Sequence, residues 1–200
     1  MRNWLLGLLL AGMSATVWAI QAPQDLVSET TDKITSALRA EQDKIKVDPN
    51  RLYAIVDEIV LPHFDFSAMS SWVLGKHWRT ANEGEKTRFT AEFRTLLVRT
   101  YAKALNDNYD RKIALLPMRE KAGSDDVTVR TEVQQEAGFP IPIDYKMRLQ
   151  GGAWKVYDVS VDGLSLVANY RTTFAKEIRQ DGLPKLIDRL ADRNKQAQTE

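Results

Sequence analysis

The chain contains no cysteine. That absence removes disulfide staples, thiolate catalysis, cysteine-ligated zinc and iron–sulfur clusters together, and leaves packing to hold the fold. It also removes the acylated cysteine that anchors a bacterial lipoprotein. Charge of one sign is missing too: 28 Lys and Arg stand against 27 Asp and Glu, so nothing draws the chain to a polyanion and nucleic acid is not an expected partner. With only two histidines, His63 and His77, no three-ligand metal set can be assembled around either, and Asp125-Asp126 lacks the spaced oxygens and glycine of a calcium loop. Neither GxGxxG nor GxxxxGK[ST] occurs, which leaves no nucleotide fingerprint. No metal and no cofactor is expected.

What is present begins with an address. Arg2 precedes an apolar run from Trp4 to Met13, followed by Ser14-Ala15-Thr16-Val17-Trp18-Ala19, the order of a secretory signal peptide with Val17 and Ala19 at the positions that need small or modest side chains. The run is shorter than the roughly 20 residues of a spanning helix. Residues 1–19 are therefore read as a leader cleaved after Ala19, residues 20–193 as one domain and residues 194–200 as a polar tail. Without Arg2 the remainder carries 27 basic and 27 acidic residues. It is expected to diffuse freely.

The domain opens on helical spacing. Leu26, Val27, Ile34, Ala37, Leu38 and Ile45 make one apolar stripe, broken at Asp48-Pro49-Asn50; Leu52, Ile55, Val56, Ile59 and Val60 make a second, stopped by Pro62. Asn82 with Glu85 marks the start of a long helix through Phe89, Phe93, Leu96, Leu97, Tyr101, Ala104 and Leu105. After Tyr109 the period changes to two. Val127 to Val133 and Ile141 to Leu149 alternate apolar and polar residues as half-buried antiparallel strands do, Pro140 and Pro142 put the start of the second at a sheet edge or beyond its neighbour, and Gly151-Gly152 turns the chain. The next strand changes phase between Val156 and Tyr157, which predicts a bulge and curvature there. Helical spacing resumes from Leu164 to Ile178, with Gly182 as a stop and Pro184 opening a last helix. The fold class is α+β: a bent antiparallel sheet of four to five strands, covered on one face by amphipathic helices.

Catalytic residue types occur without catalytic arrangements. His63-Phe64-Asp65 and Ser67 adjoin in sequence, which does not create a triad, and Gly163-Leu164-Ser165-Leu166-Val167 has only the first half of a nucleophile elbow, so Ser165 reads as a helix N-cap. Two other readings remain at this level. An enzyme with an apolar cavity would use a buried Asp144 or Asp158, and an interaction module would have a filled core and act through its surface.

Three blocks carry more information: LGKHWR, Leu74 to Arg79, with the long helix after it; IPIDYKMRL, Ile141 to Leu149, with WKVYDVSVDGLSLVANYRTTF, Trp154 to Phe174; and the closing helix from Gly182-Leu183 to Leu190. Together they resemble the MlaC family, the toluene-tolerance phospholipid-binding proteins, over roughly residues 26 to 190. The resemblance implies a soluble, monomeric periplasmic phospholipid carrier. Its partners would be an outer-membrane lipoprotein complex and an inner-membrane ABC transporter bearing an MCE-domain protein, and its work the maintenance of outer-membrane lipid asymmetry. It also implies that the apolar interior encloses a cavity. Candidate lipid contacts lie on the inward phase of these blocks: Leu97, Tyr101 and Leu105; Val133, Tyr145 and Met147; and Val159, Val161, Leu164, Val167 and Tyr170. Trp72, just before LGKHWR, and Trp78, within it, are placed near an opening.

Overall fold

The computed structural model describes residues 20–121 and 123–199; the leader read over residues 1–19 lies outside them. Helices α1 (Pro23–Val47) and α2 (Asn50–Ile59) form a hairpin, a 3-10 turn follows at Leu61–His63, and α3 (Phe66–Leu74), α4 (Lys76–Thr80) and α5 (Glu83–Asp107) complete the first half. Strands β1 (Ile113–Leu115), β2 (Asp126–Val133), β3 (Ile141–Gln150), β4 (Ala153–Val161) and β5 (Leu164–Ser165) make one antiparallel sheet in sequence order, and α6 (Leu166–Asp181) and α7 (Leu183–Thr199) close the chain. The architecture is the α+β one expected. Among the described residues no helix is long and apolar enough to cross a membrane.

Local chemistry sets the boundaries. Asn82 and Glu85 cap α5 reciprocally, each side chain accepting from the other's backbone N–H at 2.9 Å. The Ser165 hydroxyl accepts from Ala168 N at 3.0 Å at the start of α6. That helix begins at Leu166, two residues later than the apolar spacing suggested, because Leu164 and Ser165 first pair with Val161 and Ser160. Positive φ at both Gly151 and Gly152, 58° and 80°, gives the primed turn that matches strand twist between β3 and β4. The bulge falls where the phase changed: Met147 pairs with Val156 and Lys146 with Asp158, so Tyr157 is the extra residue. β3 is an interior strand, and its Pro142 is accommodated because pairing with β4 begins only at Ile143.

Three elements differ from the sequence reading. α3 and α4 were not legible as helices: α3 buries Met69, Ser70, Val73 and Leu74 in nine residues, too apolar to show a polar face, and α4 has five residues. The tail read as polar from Asn194 instead continues α7, because the buried Asn194 amide donates to the Glu92 carbonyl at 3.0 Å and its carboxylate at 2.7 Å on α5.

Burial divides into three clusters rather than one. The helical cluster joins α3, α5, α6 and α7 around Phe89, Phe93 and Phe174, whose rings lie 5.6 to 6.1 Å apart. A second joins α1, α2 and Ala102 of α5. The third is the inner face of the sheet, Val127, Val129, Met147, Trp154, Val156 and Val159, with Val27 of α1. A filled domain ordinarily has one contiguous core. Here α5 packs mainly on α2, α3 and α7, whereas α1, α3, α6 and the 3-10 turn hold the sheet. A seam is left between α5 and the inner face of the strands.

Candidate functional site

The seam widens into a cavity of about 120 Å³. α1 lines it with Val27 and Ile34 and with Thr30, Thr31 and Thr35; the end of α5 adds Leu105, with Asn108 and Tyr109 beyond it; the sheet supplies Ile113, Tyr145, Met147 and Val156; and His63 and Phe64 close the side by the 3-10 turn. The amphipathic stripe of α1 therefore faces both protein and void. Phe64 is fixed by a parallel bridge to Val156 and stacks on Phe66 at 5.8 Å, and the Asp65 N–H donates to the Val156 carbonyl at 2.9 Å.

The walls are mostly apolar, and burial disfavours the charged forms of titratable groups at and near them. Burial pushes the Tyr145 phenol above its ordinary value, against a smaller opposing effect of the Thr131 hydroxyl. Tyr145 nevertheless keeps accessible surface. It is half-buried because it borders the cavity. Burial, with the neighbouring Tyr170 phenol, takes Tyr101 up to about 12. At the rim, burial lowers the His63 pKa from 6.5, and Lys155 and Lys33 lower it further by repelling the imidazolium.

The eleven residues proposed from sequence separate by position. Leu105, Tyr145 and Met147 line the cavity. Tyr101, Val161 and Tyr170 are half-buried, each at the margin of its cluster. Val133 is buried at the end of β2 opposite Ile113 and Ile141, and Val159 lies in the sheet cluster. Leu97 and Val167 are packed in the helical cluster, and Leu164 is 74% exposed beside the β4–β5 turn. The divergence along α5 follows from helix geometry. Each four-residue step at 3.6 residues per turn precesses by about 40°, so Leu97 and Leu105 point about 80° apart. Trp78 packs on the helical cluster and Trp72 stands on the outer surface, neither lining the cavity.

Sequence reasoning missed the α1 lining and His63. An apolar stripe looks the same whether it meets side chains or empty space. Asp144 and Asp158 lie on the strand phase opposite Tyr145 and Val159. Asp158 is buried, but its carboxylate accepts from Lys146 Nζ at 3.1 Å, the Ser165 hydroxyl at 2.8 Å and Val167 N at 3.2 Å, which ties α6 to the sheet.

A curved sheet, helices that leave its inner face partly uncovered and an apolar void between them define a binding domain for an apolar ligand. Comparison with known proteins gives the family. Residues 28–192 match the MlaC protein family, and the chain belongs to it. It is 29% identical over 181 residues to the intermembrane phospholipid transport system binding protein MlaC of Haemophilus influenzae, covering 89% of this chain and 85% of that one. It is 31% identical over 191 residues to the toluene tolerance protein ttg2D of Pseudomonas putida, covering 94% and 88%. The solved structure of the phospholipid-binding protein of Ralstonia solanacearum, in complex with a phospholipid, superposes with a TM-score of 0.81 at 29% identity, covering 88% of this chain and 99% of that one.

Proposed function

We propose that this protein is a soluble periplasmic phospholipid carrier. It would shuttle lipid between an outer-membrane lipoprotein complex and an inner-membrane ABC transporter bearing an MCE-domain protein, and so help keep the outer membrane asymmetric. The carrying observation is the apolar void in the seam between sheet and α5, in a chain whose relative binds a phospholipid. A diacyl lipid has on the order of 30 chain methylenes, and at about 0.8 kcal/mol each its exposure to water would cost roughly 25 kcal/mol. Unaided crossing is negligible. A carrier must shield the chains and release them, without chemistry.

The void is small for that cargo. An engineered cavity of about 150 Å³ takes one benzene, so about 120 Å³ accommodates only a short length of chain. Loading therefore requires the seam to open. Tyr101, Leu105, Tyr145, Val161 and Tyr170 are the contacts that opening would offer, with Val27 and Ile34 of α1 opposite. The test is transfer between vesicles: purified mature chain is expected to carry labelled phospholipid from donor to acceptor vesicles in proportion to its concentration. Transfer no faster than the protein-free rate would refute the proposal.

A further inference from the structure

The outer surface carries a second arrangement, unrelated to the cavity. Trp72 of α3 is 48% exposed and lies flat against Tyr157, the bulge residue of β4, with ring centroids 6.4 Å apart and planes 25° apart. On β3 the Arg148 guanidinium sits 5.0 Å from the Tyr157 ring. Arg148 also donates to Asp126 at 2.9 and 3.2 Å, and the Tyr157 hydroxyl donates to the same carboxylate at 2.8 Å. Each group in this row is thus held by the next.

Cations continue the row around the α3–α4 corner. Gly75 has φ +54°, and a Cβ there would meet the Arg171 guanidinium at 3.3 Å, so Arg171 of α6 lies over the turn that joins Trp72 to Lys76. Lys76 and Arg171 are exposed, and Lys155 pairs with Arg148 across β3 and β4. Of the acids close to this row, Asp125 is exposed and the other two are engaged. Asp126 is held by Arg148 and Tyr157, and Asp65 accepts from Ala68 N at 2.8 Å as the N-cap of α3. The surface is left with net positive charge around a rigid aromatic pair.

We infer that Trp72, Tyr157 and Arg148, flanked by Lys76 and Arg171, form a docking surface for an acidic face of a partner protein. Trp, Tyr and Arg dominate the energetics of protein interfaces, and stacking fixes their rotamers before contact, which lowers the ordering cost of association. Charge complementarity selects carboxylates on the other side. A bilayer fits less well, because Trp72 is held beside Tyr157 and only 48% of it is exposed. The protruding apolar side chains Phe139 and Leu164 lie at the other end of the strands. This inference deepens the carrier reading, since it supplies the surface on which a loaded carrier would be recognised.

Site-specific photo-crosslinking in cells tests it, with benzoylphenylalanine in place of Trp72 in the full chain. A discrete protein adduct is expected, with the crosslinked peptide falling in an Asp/Glu-rich segment of the partner. Its yield should drop at least tenfold when Lys76→Glu and Arg171→Glu are added. Lys76→Glu alone, an exposed change that should leave the circular dichroism unaltered, is expected to give a several-fold drop. Adducts to lipid, adducts only to a second copy, no adduct, or a yield unchanged by charge reversal would each overturn the inference. Phospholipid extracted from the same preparations separates the two readings: loaded variants with lost adducts support docking, whereas an empty wild-type chain counts against the carrier reading alone.

Discussion

Two apolar regions of this molecule share residue types and differ in how they are filled. Around Phe89, Phe93 and Phe174 the rings interlock and all three are at most 1% exposed, as in close-packed protein interiors. Beside the inner face of the sheet, Leu105, Tyr145 and Val161 remain half-buried, and an apolar void lies among α1, the end of α5 and the strands. The first region holds the fold together. The second is what the fold holds open.

The contrast is sharpest when the same charge enters both regions. Leu97→Glu would bury an unpaired carboxylate in the helical cluster at a cost of several kcal/mol, against a total stability of typically 5 to 15, so loss of the folded circular dichroism spectrum is expected. Leu105→Glu faces the cavity, where water can enter once lipid is absent, and should fold but retain no phospholipid. Truncation should separate the regions next. Phe93→Ala is expected to cost about 3–5 kcal/mol in urea unfolding. Leu105→Ala, half-buried and already beside empty space, should cost no more than about 1.5 kcal/mol. Equal losses would mean that the seam is as tightly filled as the core.

The pin between α6 and the sheet comes next in size. Asp158→Ala removes the acceptor for Lys146, Ser165 and Val167, and hydrogen bonds to a charged group are worth about 1.5–3 kcal/mol. Ser165→Ala, which removes the N-cap, should cost about 1 kcal/mol. Smallest is the effect of pH at the cavity rim. Because the folded His63 pKa is lowered, the unfolded chain binds the proton more readily. The neutral imidazole's contribution to stability is complete above 6.5, the ordinary value, and is lost as pH falls through the lower folded pKa. Urea midpoints should decline over that interval, and His63→Gln should flatten the decline.

How much of this could be read from the residues follows the same division. The capped α5, the alternating β2 and β3, the bulge at Tyr157 and the Ser165 cap are local features, each specified by neighbours in sequence, and each was legible. α3 was hidden by its apolar composition. The extension of α7 was hidden because it depends on Asn194 meeting Glu92, 102 residues away. At the site, inward-facing positions could be chosen by phase, but phase cannot separate Leu97 from Leu105, which turn to different neighbours along one helix. Whether a stripe meets protein or void depends on how far α1 and α5 stand from the sheet, and no single segment encodes that distance.

The most direct test of the hollow seam is the lipid content of the purified mature chain, measured by mass spectrometry of an organic extract beside Leu105→Glu prepared in the same way. The expected result is about one phospholipid per wild-type chain and none in a variant with the same circular dichroism. A wild-type chain that is folded, stable and empty, or a Leu105→Glu chain that is folded and fully loaded, would contradict the assignment of the seam as the lipid site.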